Sequence, residues 1–428
     1  MANEPVKTKR FTKEEWSWIF YDWANSVFAT IMMAVLFPIY FTSMAGDSGD
    51  IYWGYASSIA TFVMAVSAPF LGAIGDRKDQ KKKVFMFFWI LGMIGTALCA
   101  IFTDWHLLFV FYIIGTIGFN GANLAYDSFL TDVTDDEKMD RVSTWGYAMG
   151  YIGGSTIPFL VAIALVLLHD KLGITNATAI RISVVITVIW WGLFTIPFLK
   201  NVKQKHFNPD QTGHLVKDTL RHVGQTAAEI WKQKHLRYFI LAYFFYIDGV
   251  GTIIKMSTAY GTALGLGSTG MILALLLTQI VAMPCSILFG NIGKKIGALK
   301  VIFLGIGVYT LVCLLGFFMG MGMETGFLTN SQALVIFWTV AVLVGTSQGG
   351  IQAMSRSYFG KIVPNEKSNE YFGFFEIFGK FAAVLGPFLY STISAITGRS
   401  SWAILSVLSL FLIGGGILLA GRKHLENK

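Results

Sequence analysis

Acidic and basic side chains lie within apolar stretches of this chain, where ionised groups are rare and are usually functional. Asp248 lies 11 residues after Arg237, and Lys255 follows Asp248 at i+7, on about the same face of a helix. Asp22 lies in the first apolar stretch with Asn25 about one turn further on. Two acids on the corresponding first helices of the two halves predict a central site that binds a proton or an ammonium group. For Asp22 the alternative is a wet helix end, because it is close to the chain's first apolar residues.

Other polar and aromatic side chains lie close enough in sequence to join such a site. Tyr246 lies beside Asp248, although core packing explains an aromatic residue there equally well. Gln279, Gln348 and Gln352 offer hydrogen-bonding groups to a polar substrate, although bonds between helices are the commoner fate of such side chains. Together these residues are the predicted substrate or coupling set.

A second group of charges lies at or near the ends of the apolar stretches. It comprises Asp76, Arg77, Asp127, Arg356, Glu376 and Lys380. We predict that this group is a cytoplasmic gate, in which Arg77 pairs with Asp127 and Arg356 pairs with Glu376. Two alternatives stay open: Glu376 and Lys380, spaced i to i+4, neutralise each other, and the loop around Asp76 simply retains positive charge on the cytoplasmic side.

Twelve apolar stretches must position these residues. A bilayer core of roughly 30 Å takes about 20 helical residues to cross. Hydrophobic residues make up 54% of the chain and charged residues 14%, well below the about 25% charged residues of soluble domains, which excludes a water-soluble fold. The sequence predicts an all-α integral membrane protein with twelve transmembrane helices at 16–43, 51–75, 84–103, 106–130, 143–168, 178–199, 237–265, 269–291, 301–321, 332–355, 370–396 and 401–421.

The basic residues indicate how these helices are oriented. Of the 33 Lys and Arg residues, 28 lie at the termini or in every second gap between the apolar stretches. Cytoplasmic loops carry this excess, so we predict that both termini are cytoplasmic. The net charge of +8 then belongs to a membrane-facing surface, and no nucleic-acid partner is expected. Trp18 is one of several tryptophans predicted to anchor the membrane interface.

The chain divides into two similar halves. The predicted units are a six-helix bundle at 1–199, a linker at 200–236 and a second six-helix bundle at 237–428. The linker includes an amphipathic helix over 215–234, which is predicted to lie on the cytoplasmic leaflet. We interpret it as a passive tether between the halves, with a lipid or partner sensor as the alternative. A shift of 229 residues aligns Gly121 with Gly350, Ser128 with Ser357 and Asp127 with Arg356. Because six crossings are an even number, these repeats are parallel and related by an axis along the membrane normal.

Several segments resemble a known transporter superfamily. GAIGDRKDQKKK (72–83) and GNIGKKIGALK (290–300) resemble the loop motif of the major facilitator superfamily, although Asp79 replaces its usual second glycine. More specific segments resemble the vacuolar amino-acid effluxer-like branch: FYDWANSVFAT (20–30), DRVSTWGYAMGYIGG (140–154), LAYFFYIDGVGTI (241–253) and GGIQAMSRSYFGKIVPNEKSNEYFGFFEIFGKFAAVLGP (349–387). The resemblance implies the major facilitator fold and transport by alternating access, with amino acids as candidate cargo.

The functional prediction follows from these features and from missing motifs. GLGSTG (265–270) opens no strand and helix unit, no Walker phosphate loop occurs, and the three cysteines lie inside apolar stretches. We therefore predict no enzyme, no cofactor and no metal. The expected protein is a monomeric secondary transporter in the bacterial inner membrane that moves a small polar solute, with amino acids as candidates, and couples to protons. An exporter of amphiphiles or drugs is the alternative, and a membrane-embedded receptor or enzyme is the alternative from another class.

Overall fold

The described chain is almost entirely helical. The computed structural model describes residues 10–46, 49–209, 215–266 and 268–426, and some side chains within these ranges, including that of Lys380, lie outside the description. The N-terminal half contains α1 (Lys13–Phe28), a π-helical segment (Ala29–Ala34), α2 (Leu36–Ala45), α3 (Gly49–Gly75), α4 (Lys81–Ile101), α5 (Trp105–Ser128), α6 (Leu130–Val133), α7 (Asp136–Met149), a second π-helical segment (Gly150–Thr156), α8 (Ile157–Leu167) and α9 (Asn176–Asn201).

A linker helix and six further long helices complete the described chain. They are α10 (Leu215–Lys232), then α11 (Lys234–Ala263), α12 (Ser268–Ile296), α13 (Ala298–Glu324), α14 (Asn330–Ile362), a short 3₁₀ helix (Asn365–Lys367), α15 (Ser368–Thr397) and α16 (Ser400–Leu425). We call α11 to α16 the C-terminal half. The amphipathic pattern thus does form a helix, α10, within the linker.

Polar side chains cap the starts of several helices. Thr12 and Glu15 form a capping box at the start of α1, with bonds of 2.7 and 3.1 Å. Thr329 and Gln332 form the same motif at the start of α14, and Asp104 caps α5 by accepting the backbone N–H groups of residues 106 and 107. These bonds satisfy donors that a helix start leaves unpaired.

Most of the predicted spans are present as long apolar helices. In the part of the chain that the structure describes, eleven helical segments are long and apolar enough to cross a membrane. The predicted first span corresponds to α1, the first π-helical segment and α2 in succession, and the predicted fifth span to α7, the second π-helical segment and α8. The predicted stretch 370–396 corresponds to α15, which is not among the eleven. The count of twelve therefore remains a prediction.

Buried apolar side chains form two separate clusters. One lies between residues 18 and 202 and includes Trp18 and Trp191. The other lies between residues 230 and 425 and includes Tyr246 and Phe411. Each half thus packs its helices around its own core, and the halves contact each other through α3 against α15 and through α7 against α12 and α14.

The start of α1, the linker and the end of α16 lie at one end of the molecule, which we call the linker end. Lys205 pairs with Glu14 at 2.6 Å, and Tyr358 donates to the carbonyl oxygen of Leu425 at 2.9 Å. Helix α10 contacts α3 of the N-terminal half and α11 and α15 of the C-terminal half. Glu229 of α10 pairs with Lys367 at 3.0 Å. The linker helix therefore lies across both halves at this end.

Candidate functional site

A central cavity lies between the two halves. Its volume is about 350 Å³, within the range of small-molecule sites. The π-helical segment after α7 contributes Gly150 and Tyr151, and α14 contributes Gln352 and Arg356. The lining residues are Asp22, Asn25, Ser26, Ala29, Phe119, Asn120, Asn123, Tyr126, Asp127, Tyr147, Gly150, Tyr151, Gln352, Arg356 and Glu376.

Arg356 crosses from the C-terminal half into a pocket of the N-terminal half. Its Nη1 donates to Asp127 Oδ1 at 2.9 Å, and its Nη2 donates to Asp22 Oδ2 at 3.2 Å. Its Nε donates to Ser143 Oγ and its Nη2 to the carbonyl oxygen of Ser143, both at 3.0 Å. Only 4% of the Arg356 side chain is exposed, against 13% for Asp22 and 15% for Asp127. Such enclosed ion pairs are shielded from solvent screening.

Aromatic rings complete this pocket. The Arg356 guanidinium carbon lies 4.7 Å from the ring centroid of Trp18, 4.6 Å from that of Tyr147 and 5.6 Å from that of Tyr126. Each ring is within the distance at which a cation is attracted to an aromatic face. Tyr126 also donates its hydroxyl to Asp22 Oδ2 at 2.7 Å. We call Trp18, Asp22, Tyr126, Asp127, Ser143 and Tyr147 the Arg356 box.

The contacts between the halves follow the 229-residue repeat. Ser128 donates to Asn369 Oδ1 at 2.5 Å, and the equivalent Ser357 donates to Asp140 Oδ1 at 2.6 Å, where Asp140 and Asn369 are themselves one repeat apart. The same shift aligns Asp127 with Arg356, so the ion pair between them joins two equivalent positions of the repeat. It therefore lies at the axis that relates the halves, where two identical charges would repel each other.

Asp76 joins the halves nearer the linker end. Its Oδ1 and Oδ2 accept the backbone N–H groups of Asn369 and Glu370 at 2.9 and 2.8 Å, so a residue that follows α3 caps the start of α15. Burial raises the pKa of the Asp76 carboxyl above its ordinary value, while nearby Lys81 and the two N–H donors act in the opposite sense. Gly72, near the end of α3, allows this contact, since a Cβ on Gly72 would collide with the backbone of Asn369.

A buried ion pair supports this contact and attaches the linker. Lys81 Nζ donates to Asp132 Oδ2 and to Ser368 Oγ, both at 2.9 Å. The other Asp132 oxygen accepts the backbone N–H groups of Lys205 and His206 at 2.8 Å. One buried carboxylate therefore connects α6, α4 and the first part of the linker, and Lys81 extends the connection to the C-terminal half.

The structure separates the predicted coupling set into two groups. Asp22, Asn25 and Gln352 line the central cavity. The remaining five residues are not among the lining residues: Asp248, Tyr246, Lys255, Gln279 and Gln348.

Asp248 and Tyr246 lie inside the C-terminal half. Asp248 is fully buried against Gly386 of α15, and Thr252 lies 3.5 Å from its Oδ1. Its Oδ2 has no hydrogen-bond partner among the described residues. Tyr246 is buried as well, with its hydroxyl 2.6 Å from Ser355 Oγ. Gln348 is buried and accepts from Gln352 through its backbone oxygen, whereas Lys255 is exposed.

The predicted gate pairs differ from the observed ones. Asp127 pairs with Arg356 rather than with Arg77, and Arg356 pairs with Asp127 and Asp22 rather than with Glu376. Asp22 is enclosed by Tyr126 and Arg356, so the alternative of a wet helix end is also wrong. The reason is that α1, α5 and α14 meet at the axis, which brings three charges from distant positions together. Glu376 lines the cavity, and the side chain of Lys380 lies outside the described residues.

Sequence reasoning missed several residues of the Arg356 box. Trp18 was expected at the membrane interface, yet it is buried, stacks on Tyr126 at 4.4 Å and donates to the Tyr126 carbonyl oxygen. Ser143 and Tyr147 were not singled out. A usable signal was present, because opposite charges at equivalent repeat positions near an axis are placed to pair.

No group of three or more His, Cys, Asp or Glu side chains suited to a metal ion occurs among residues 10–46, 49–209, 215–266 and 268–426. What the site offers instead is a set of carboxylates, one guanidinium and several amides around a cavity. Such groups can bind a polar solute and change partners when the halves move.

The chain resembles known proteins over nearly its whole length. A family model described as "Vacuole effluxer Atg22 like" matches residues 10–54 and 51–423. The MFS-type transporter YxiO of Bacillus subtilis is 44% identical over 420 residues, which cover 96% of this chain and 95% of that protein. Autophagy-related protein 22-1 of Neosartorya fischeri is 26% identical over 294 residues, and the match covers 63% of this chain but only 46% of the fungal protein.

Solved structures show the same fold. The major facilitator transporter FucP in its outward conformation superposes with a TM-score of 0.69 at 14% identity, over 96% of this chain and 98% of FucP. The proton:xylose symporter XylE, bound to a bromodeoxyglucose, gives a TM-score of 0.69 at 12% identity over 95% of both chains. YxiO, FucP and XylE are transporters rather than enzymes, as the sequence predicted. The chain is a multi-pass membrane protein of the major facilitator superfamily, and it belongs to the family of vacuole effluxer Atg22-like transporters.

Proposed function

We propose that this secondary transporter couples the movement of a small polar solute, with amino acids as the first candidates, to protons. The observation that carries the proposal is the charge balance of the central cavity. There the carboxylates of Asp22 and Asp127 share one guanidinium, that of Arg356. Buried negative charge in excess is costly, so the site favours a bound proton or the ammonium group of a substrate.

The geometry suggests how protons and the solute are coupled. Asp22 and Asp127 hold Arg356 across the axis, and this bond helps to close the linker end. A proton on either carboxylate weakens its attraction to the guanidinium, which allows the halves to part there. The amide groups of Asn25, Asn123 and Gln352 line the same cavity and offer hydrogen bonds to a polar solute. The solute and the proton thus act on the same contact between the halves.

The proposal includes topology and assembly. We infer twelve transmembrane helices with both termini and the linker end in the cytoplasm, which makes the present state closed on the cytoplasmic side. The bundles at 1–199 and 237–428 rock about the cavity, and the linker at 200–236 joins them. The working unit is a monomer in the bacterial plasma membrane. Asp248, whose buried Oδ2 lacks a hydrogen-bond partner among the described residues, is a second proton-binding candidate.

Two experiments test this proposal. A thermal-stability screen with individual L-amino acids identifies a ligand, because a bound solute raises apparent stability by mass action. Accumulation of that solute in proteoliposomes is then measured with and without a proton gradient. The variant Asp22→Asn combined with Asp127→Asn should lose accumulation driven by the gradient. Asp170→Asn is the matched control, because that side chain is 92% exposed.

Unchanged accumulation and pH dependence in the double variant would remove these two acids from the coupling mechanism. A wild-type protein that accumulates no amino acid under either condition would exclude amino acids as the cargo. In that case the amphiphile exporter becomes the leading alternative, which the same assay tests with lipophilic dyes.

A further inference from the structure

The Arg356 box is built wholly from one half of the molecule. Its members belong to α1, α5 and α7 of the N-terminal half, and the cation that fills it comes from α14 of the C-terminal half. The box supplies two carboxylates, the hydroxyl and carbonyl oxygens of Ser143, and three aromatic faces. A complete cation site therefore exists on one side of a boundary that alternating access must open.

Opening the linker end must withdraw Arg356 from the box, a step that rests on the proposed function. The box then retains the carboxylates of Asp22 and Asp127 without their partner. Removing one member of a buried ion pair is strongly unfavourable. Protons or another cation can replace the guanidinium in the state that is open at this end, and either one restores the charge balance of the box.

The aromatic walls distinguish between these two replacements. A proton neutralises a carboxylate but gains nothing from the faces of Trp18, Tyr126 and Tyr147. An organic cation gains from both the carboxylates and the rings, since ring faces attract guanidinium and ammonium groups, most strongly where water is excluded. Three rings lie at 4.6 to 5.6 Å from the present cation.

We propose that the emptied Arg356 box binds the guanidinium or ammonium headgroup of a small organic cation, so that Arg356 is a tethered competitor of the ligand. The rest of the ligand lies in the central cavity, beside Asn25 and Asn123. Binding of the headgroup displaces Arg356 and releases the halves at the linker end. Occupancy of the box is thereby coupled to opening.

Chemical rescue of an arginine variant tests this inference. Purified full-length Arg356→Ala is unfolded by heat in the presence of ethylguanidinium, of its uncharged counterpart N-ethylurea, or of KCl at matched ionic strength. Ethylguanidinium should raise the melting temperature in a saturable way and bind at least about tenfold more tightly than N-ethylurea. The matched control is Arg141→Ala, because Arg141 stacks over Phe11 at 4.6 Å outside the box and its loss should create no such response.

A second variant keeps the test decisive if the two unpaired acids impair folding. Arg356→Ala combined with Asp127→Asn retains Asp22 and all three rings, and ethylguanidinium should still stabilise it. Adding Trp18→Leu to either background should weaken that stabilisation, because it removes one aromatic wall. Equal effects of ethylguanidinium and N-ethylurea, or no effect in both backgrounds, would overturn the inference. No proton gradient is used, so this result is independent of whether transport proves to be proton-coupled.

Discussion

Arg356→Gln tests whether the axial ion pairs hold the linker end closed. The change removes both ion pairs and the bonds to Ser143 while leaving Asp22 and Asp127 in place. Breaking a buried pair by removing one partner costs about 3–5 kcal/mol. At the lower value, the ratio of open to closed forms rises about 100-fold, since about 1.4 kcal/mol corresponds to a factor of ten. If about 1% of the wild type is open at this end, roughly half of the variant should be open.

Distances between spin labels on the two halves measure this shift. Lys83 at the start of α4 and Lys300 at the start of α13 are exposed and belong to different halves. They are replaced by cysteine in a background from which Cys99, Cys285 and Cys313 have been removed. The wild type should give mainly one short distance. Arg356→Gln should add a longer distance with a comparable population.

Arg181→Gln is the control for the loss of a membrane-embedded arginine. Arg181 donates to the carbonyl oxygens of Ala100 and Ile101 at 2.8 and 3.0 Å, all within the N-terminal half. Its loss should leave the distance distribution unchanged. A wild-type distance distribution in folded Arg356→Gln would refute this role, since the ion pairs would then contribute little to closure.

Three further predictions concern other acids and the topology. Asp248→Asn removes a buried charge, so the melting temperature should be unchanged or higher, whereas proton-driven accumulation should be lost and solute exchange retained; full accumulation would exclude Asp248 from coupling. Because the pKa of Asp76 is raised, the stability it adds is fully present at acid pH and decreases as pH rises through that raised pKa. The melting temperature of the wild type minus that of Asp76→Asn should therefore be largest at acid pH and decrease as the pH rises. An increase of this difference with pH would contradict burial as the cause. In intact cells, an impermeant thiol reagent should label Lys171→Cys but neither Lys203→Cys nor Lys423→Cys, and strong labelling of the last two would reverse the topology.

Much of the fold was predictable because membrane insertion depends on local properties. Eleven of the expected spans lie in helical segments that are long and apolar enough, since hydrophobicity summed over about 20 residues decides whether a helix is stable in lipid. The linker helix was also visible, because amphipathic periodicity is local in the same sense. The repeat that relates Ser128 to Ser357 was visible for another reason, since duplicated segments keep recognisable residues in order.

The site was predicted in its chemistry but not in its pairings. Asp22, Asp127, Arg356 and Glu376 were selected because ionised groups in lipid require partners, and all four line one cavity. Their partners were assigned incorrectly, because nearness in sequence favoured Glu376 for Arg356. Asp248 was expected beside Asp22 because the two helices correspond in the repeat, yet its side chain faces Gly386 of α15.

The sequence by itself thus determined that this protein crosses the membrane repeatedly, that its halves are related and which residue types occupy its interior. Only the tertiary structure decided which charges meet. A small rotation of a helix about its axis leaves its hydrophobicity unchanged but directs a carboxylate either toward the axis between the halves or into its own bundle. Asp127 and Arg356 bond because their helices meet at that axis, whereas Asp248 is enclosed within the C-terminal half.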